Sequence, residues 1–377
     1  MTSLDLMPGE AVETAADIPV MYYHRPGRNS GAPLVVFIPG GGHLGRVAYG
    51  YPGGASEDFI DHWLEKIGFG LLAVSAPTGA PFTPIACRDL TRPQWAEAIA
   101  AVIERVAGGD SGGLSVIILT WSLASGIIRD LAISLKRRNI DIAAFMPMAA
   151  SPPLPRLSAY PGVEERLRDD GLWDVAGSMV SGTPRGDIWT AELAVTEVEL
   201  GRKVLSGEDY RRHFWTGTPV GLMHGGIART GTNIEPDLSL IPLAAAIVPV
   251  DQRDYRHSLG DISGWAYVNT QIVLDRYAAV ARYSSTIPRV AWMDLTALVK
   301  TLPDRMSARV PGGHLFFIGE RGAATTAAAV RTLRDETKAL LDELDQFLTP
   351  RDAPARDTLD TIEDIPRPEK INFQRGN

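Results

Sequence analysis

The chain has 377 residues, 45% of them hydrophobic, enough to bury a large core. Its net charge of −8 and pI of about 5.5 argue against nucleic acid and anionic membrane surfaces as partners. The single cysteine, Cys87, excludes an intramolecular disulfide and a cysteine-rich metal site, and reads as a small apolar residue. Residues 1–10 carry acids and no apolar run, and no window approaches the ~18 apolar residues of a membrane span. A soluble, cytoplasmic protein is therefore expected.

In chain order, residues 34–38 (LVVFI) predict a buried strand that runs straight into Pro39-Gly40-Gly41-Gly42-His43. Residues 56–67 have helical spacing, residues 69–75 predict the next strand, and residues 96–106 another helix. The apolar run 114–119 ends in Thr120-Trp121-Ser122 and gives way at once to a helical pattern over 125–135. That reversal would leave the Ser122 hydroxyl exposed at the strand's C-terminal edge. Residues 140–146 predict one more strand, and the alternation implies a parallel sheet with helices on both faces. It then stops from 151 to about 236, a length that predicts a cap rather than a loop. Alternation resumes with a strand at 240–248, helices at 265–283 and 295–302 (the latter capped by Asp294), and Pro311-Gly312-Gly313-His314. A long amphipathic helix is expected over 323–347. The expected organisation is a first core part (1–150), a cap insertion (151–238), a second core part (239–348) and an extended, charged, Pro-rich tail (349–377).

Strand, glycine loop, serine at a strand–helix elbow, insertion, strand then aspartate, and Gly-Gly-His follow one another in an order that resembles the α/β-hydrolase family, over residues 33–346 with the insertion excepted. The resemblance implies a mostly parallel central sheet flanked by helices, with a largely helical cap. The family's nucleophile motif is Gly-x-Ser-x-Gly; the matching stretch here is Thr120-Trp121-Ser122-Leu123-Ala124, with both glycines replaced. Ala124 is a mild change, whereas the branched Thr120 crowds the tightest part of the elbow. Pro39 stands where the family often has His.

By that resemblance Ser122 is the nucleophile, His314 the general base, and the N–H groups of Gly41 and Leu123 the oxyanion hole, with Gly42 as a substitute for Gly41. Asp251, just past a strand, is the first choice for the acid; Asp254 and Asp294 stay open. Gly109-Asp110-Ser111-Gly112-Gly113 matches the nucleophile motif of chymotrypsin-like proteases, but its place between a helix and a parallel strand reads as a glycine-rich connection. His224-Gly225-Gly226 looks like a second glycine loop but lies within the insertion. Residues 254–265, dense in polar groups and including His257 and Asp261, read as a solvated loop and helix cap, or else as a lining of the cleft. The expected activity is hydrolysis of a small-molecule ester, thioester or lactone through an acyl-enzyme, with no metal and no organic cofactor. Acyl transfer or C–C bond hydrolysis by the same residues, and a non-catalytic ligand-binding protein, are the alternatives. A homodimer stays open.

Overall fold

The computed structural model describes residues 4–28, 31–107, 115–153, 167–173, 184–223, 238–281 and 289–348. Ser111, the glycines at 225 and 226, and the tail from 349 lie outside these residues, as does much of the insertion.

Among the described residues eight strands form one sheet: β1 (Glu10–Ala15), β2 (Ile18–Arg25), β3 (Leu34–Ile38), β4 (Gly70–Ser75), β5 (Ser115–Trp121), β6 (Asp141–Met148), β7 (Ala246–Pro249) and β8 (Ser307–Val310). Their spatial order is β1-β2-β4-β3-β5-β6-β7-β8. β1 and β2 pair antiparallel, as do β2 and β4, and every other pairing is parallel. Strands β3 and β4 and all of β5 past Ser115 are buried on both faces, which is why they read as unbroken apolar runs.

The helices are α1 (Arg46–Tyr49), α2 (Ile60–Lys66), α3 (Arg92–Val106), α4 (Ile128–Lys136), α5 (Pro184–Leu200), α6 (Gly207–His213), α7 (Val220–Met223), α8 (Tyr255–Ala281), α9 (Arg289–Arg305) and α10 (Glu320–Leu348). α3 packs against α4, and α2 against α10. α3 begins four residues before the expected start because Thr91 and Gln94 form a reciprocal capping box ahead of Pro93. Helices α5 to α7 stand between β6 and β7 in the chain. A mostly parallel sheet with flanking helices and a helical insertion is the α/β-hydrolase architecture that the sequence resemblance implies.

Three differences from expectation bear on the site. Helix α8 starts at Tyr255, so the polar residues 255–261 are its first turns and not a loop, and Asp254 ends the 3-10 turn before it. It is tied to the sheet by Asn269, whose amide accepts from Ala244 N and donates to Ala244 O at 2.8 Å each, and by the Trp265 indole, which donates to Ala150 O at 2.6 Å. Strand β7 is only four residues long, because the segment before it enters through a short 3-10 turn, Leu238–Leu240. Asp294 lies inside α9, which rules out the N-cap expected there.

Candidate active site

The buried run of β5 ends at Trp121, and Ser122 takes a positive φ of 54°. A left-handed backbone at a non-glycine residue costs on the order of 1–3 kcal/mol and persists only where surrounding packing enforces it. A 3-10 segment, Ser122–Ile127, then leads into α4. Thr120 is fully buried, and its hydroxyl lies 2.6 Å from Ser125 Oγ. The substituted elbow position is thus accommodated by a hydroxyl pair across the turn. Gly40 faces the elbow at close range: a Cβ there would stand 3.1 Å from Ser122 Cβ and 3.1 Å from the Trp121 ring.

Ser122 Oγ lies 3.1 Å from His314 Nε2, and His314 Nδ1 lies 2.9 Å from Asp254 Oδ2. With Nδ1–H donating to the carboxylate, Nε2 carries the lone pair that faces the serine hydroxyl. Burial opposes ionisation of Asp254, but the charge and hydrogen bond of His314, aided by His257, hold its carboxyl below the ordinary value. Asp251, the first choice from sequence, does not fill this place. Its carboxylate caps the 3-10 turn Gln252–Asp254, accepting from Arg253 N at 2.8 Å, and pairs with the Arg253 guanidinium, which lowers its pKa. That turn carries the chain forward so that Asp254, not Asp251, meets the imidazole.

The loop bearing His314 is held from two sides. The Trp121 indole donates to His314 O at 3.1 Å, which joins the chain neighbour of Ser122 to the imidazole-bearing loop. From α5, Glu192 Oε1 accepts from Gly313 N at 2.9 Å and from Leu315 N at 2.7 Å. Glu192 is 3% exposed; burial, with the nearby Asp254 charge, pushes its carboxyl up to about 8 despite the two backbone donors. Nothing in the weakly patterned α5 sequence marks Glu192, and sequence reasoning missed it.

On the other side of the elbow, Gly42 N–H is taken by Thr218 Oγ1. This removes Gly42 as an oxyanion donor, whereas the N–H groups of Gly41 and Leu123 make no hydrogen bond within the described residues. His43 holds the glycine loop: its Nδ1 donates to Gly41 O at 2.8 Å, and its Nε2 accepts from Tyr210 Oη on α6 at 2.5 Å. Burial drives the His43 imidazole down to about 3, so it is neutral at working pH. A cleft of about 480 Å3, counting its open mouth, adjoins Gly41 and Leu123. Ile38, Trp95, Ile127 and Leu222 form its apolar wall, and Thr78 and Thr216 supply hydroxyls.

Behind His314 lies a second buried imidazole. His257 is 4% exposed, its ring centroid is 5.3 Å from that of His314, and its Nδ1 lies 2.9 Å from Asp261 Oδ2. One ligand atom from each of Asp254, His257 and His314 can be chosen within 4.8 Å of the others.

No family model matches the chain, and no curated protein matches it. Among solved structures it is similar to an N-formylmaleamic acid deformylase from Pseudomonas putida, at 13% identity and a TM-score of 0.45 over 85% of this chain and 99% of that one. The thioesterase domain from the curacin biosynthetic pathway follows at 12% identity and a TM-score of 0.44, over 85% and 98%. An esterase from a Rhodococcus species has 15% identity and a TM-score of 0.43, over 87% and 98%. Likenesses this distant specify no substrate.

Proposed function

We propose that this protein is a serine hydrolase that cleaves an ester, thioester or lactone through an acyl-enzyme. Ser122 attacks the acyl carbon while His314 Nε2 accepts the serine proton. The N–H groups of Gly41 and Leu123 receive the developing oxyanion, each worth roughly 3–4 kcal/mol if aimed at it. Asp254 keeps the proton on Nδ1 and stabilises the imidazolium as it forms. His314 then returns the proton to the leaving oxygen or sulfur, and water, activated by the same imidazole, releases the acid and restores Ser122. The apolar cleft beside Gly41 and Leu123 suits an acyl chain without charge.

The observation that carries this reading is the relay itself: Ser122 Oγ, His314 and Asp254 linked at 3.1 and 2.9 Å, with the serine at a positive φ just past the C-terminal end of the central strand β5. The test is covalent labelling with a fluorophosphonate, followed by peptide mapping. Labelling at Ser122, together with loss of p-nitrophenyl butyrate turnover in Ser122→Ala, is the expected result. Labelling at Ser111 instead would overturn the assignment.

A further inference from the structure

His257 is not needed for the relay described above, yet it is built as a ligand. Its Nδ1–H donates to Asp261, which is 1% exposed and also accepts from Ser151 Oγ at 3.1 Å. That bond fixes the tautomer and leaves the lone pair on Nε2, as a carboxylate behind a metal-bound histidine does. His257 Nε2 is buried and has no hydrogen-bond partner among the described residues. An orphaned buried acceptor costs about 1–3 kcal/mol, so its retention calls for an occupant. The neighbouring groups are of ligating type: the Asp254 carboxylate and the His314 imidazole.

We infer that Asp254, His257 and His314 form a binding site for a divalent transition-metal ion of the Zn2+ kind, and that the bound ion switches the hydrolase off. Tetrahedral zinc with bonds of about 2.0–2.1 Å sets its ligand atoms roughly 3.4 Å apart. The His314 Nδ1 and Asp254 Oδ2 pair already stands at 2.9 Å, so the site closes by side-chain rotations that bring in the His257 nitrogen. Two imidazoles and a carboxylate leave the fourth position to water. When the ion takes the Nδ1 lone pair of neutral His314, the ring's one proton moves to Nε2. The Nε2–H then donates to Ser122 and accepts nothing, so the nucleophile has no base. Net proton count on the ring is unchanged, and no bond to Ser122 is made or broken.

The inhibitory half rests on the proposed hydrolase reading; the binding half does not, and the experiment separates them. ZnCl2 is titrated calorimetrically into the full chain, its Ser122→Ala form, H257Q and D261N. One ion should bind the wild-type chain and Ser122→Ala alike, at least tenfold more weakly in H257Q and about 10- to 100-fold more weakly in D261N, which keeps the side-chain volume but alters the histidine's partner. In parallel, p-nitrophenyl butyrate turnover by the wild-type chain should fall at the same ZnCl2 concentrations and return with EDTA. Equal affinity in wild type, H257Q and D261N, or no binding at millimolar ZnCl2, overturns the site. Binding that needs His257 but leaves turnover unchanged overturns the switch. A wild-type chain that binds zinc but hydrolyses no ester speaks against the hydrolase reading and leaves the site standing.

Discussion

Replacing Asp254 with asparagine tests the relay most sharply, because asparagine keeps the shape and removes the charge. Asp254 accepts one hydrogen bond from His314 Nδ1 at 2.9 Å, and its side chain is 11% exposed. A hydrogen bond to a charged partner is worth about 1.5–3 kcal/mol, which alone predicts a loss of roughly 10- to 150-fold in kcat. Asparagine adds a second penalty. Its amide N–H2 donates to Nδ1 and drives the imidazole proton to Nε2, where it faces Ser122 as a donor. Carboxylate-to-amide changes at this place in such relays cost about 10,000-fold, or near 5.5 kcal/mol, and that is the expected size for Asp254→Asn. The assay is kcat for p-nitrophenyl butyrate at pH 7.5, with a thermal melt to show that the variant is folded. Asp251→Asn is the companion. It loses an ion pair with Arg253 whose side chains are 23% and 24% exposed, so it should shift stability by no more than about 1 kcal/mol and leave kcat nearly unchanged. A large loss in Asp251→Asn with a small one in Asp254→Asn would refute the reasoning.

Glu192 makes stability depend on pH. Folded Glu192 holds its proton up to about 8, whereas the unfolded carboxyl releases it near the ordinary 4.5. Its favourable contribution is therefore fully present below about 4.5 and is lost as pH rises through about 8, by something on the order of 5 kcal/mol at most. Urea unfolding at pH 5 and pH 8 should show a flatter pH dependence in Glu192→Gln than in wild type; equal slopes would mean that the folded carboxyl is ionised. Gly40→Ala places a methyl 3.1 Å from Ser122 Cβ and should cut kcat by around 100-fold through displacement of Ser122, with KM little changed. Thr120→Val strands the buried Ser125 hydroxyl, which lies 2.6 Å from Thr120 Oγ1, and should cost about 1–3 kcal/mol in urea unfolding. A neutral result would show that the elbow does not need this pair.

The parts of the fold that were legible in sequence are those whose burial is two-sided. LVVFI at β3, the run over β4 and the run that ends at Trp121 in β5 have no polar face, the mark of a strand covered on both sides. The β1–β2 hairpin was not visible, because its two-residue turn is Ala16-Asp17, at φ 48° and 62°, instead of the Asn-Gly pair that usually announces positive φ. Within the site, Ser122 and His314 are marked by the glycines and apolar strands around them. The carboxylate that meets His314 is not: Asp251 and Asp254 are three residues apart, and the choice between them depends on a single 3-10 turn and on which of them Arg253 draws off. Glu192 and Tyr210 were beyond reach for a different reason. Their partners, the Gly313 and Leu315 amides and the His43 ring, lie more than 120 residues away in the chain, and only the three-dimensional path of α5 and α6 brings them there.

The grip of those two helices has a consequence for anyone who would re-engineer the protein. Segments inserted into a sheet fold are commonly treated as exchangeable modules, swapped to alter substrate scope while the chemistry stays put. Here α5 fastens the loop that carries His314, through Glu192, and α6 fastens the Gly40–His43 loop, through Tyr210. A graft that replaces residues 184–223 would unfasten both loops at once, so a chimaera has to carry a carboxyl or carboxamide at 192 and a phenol at 210 to keep the two loops in register.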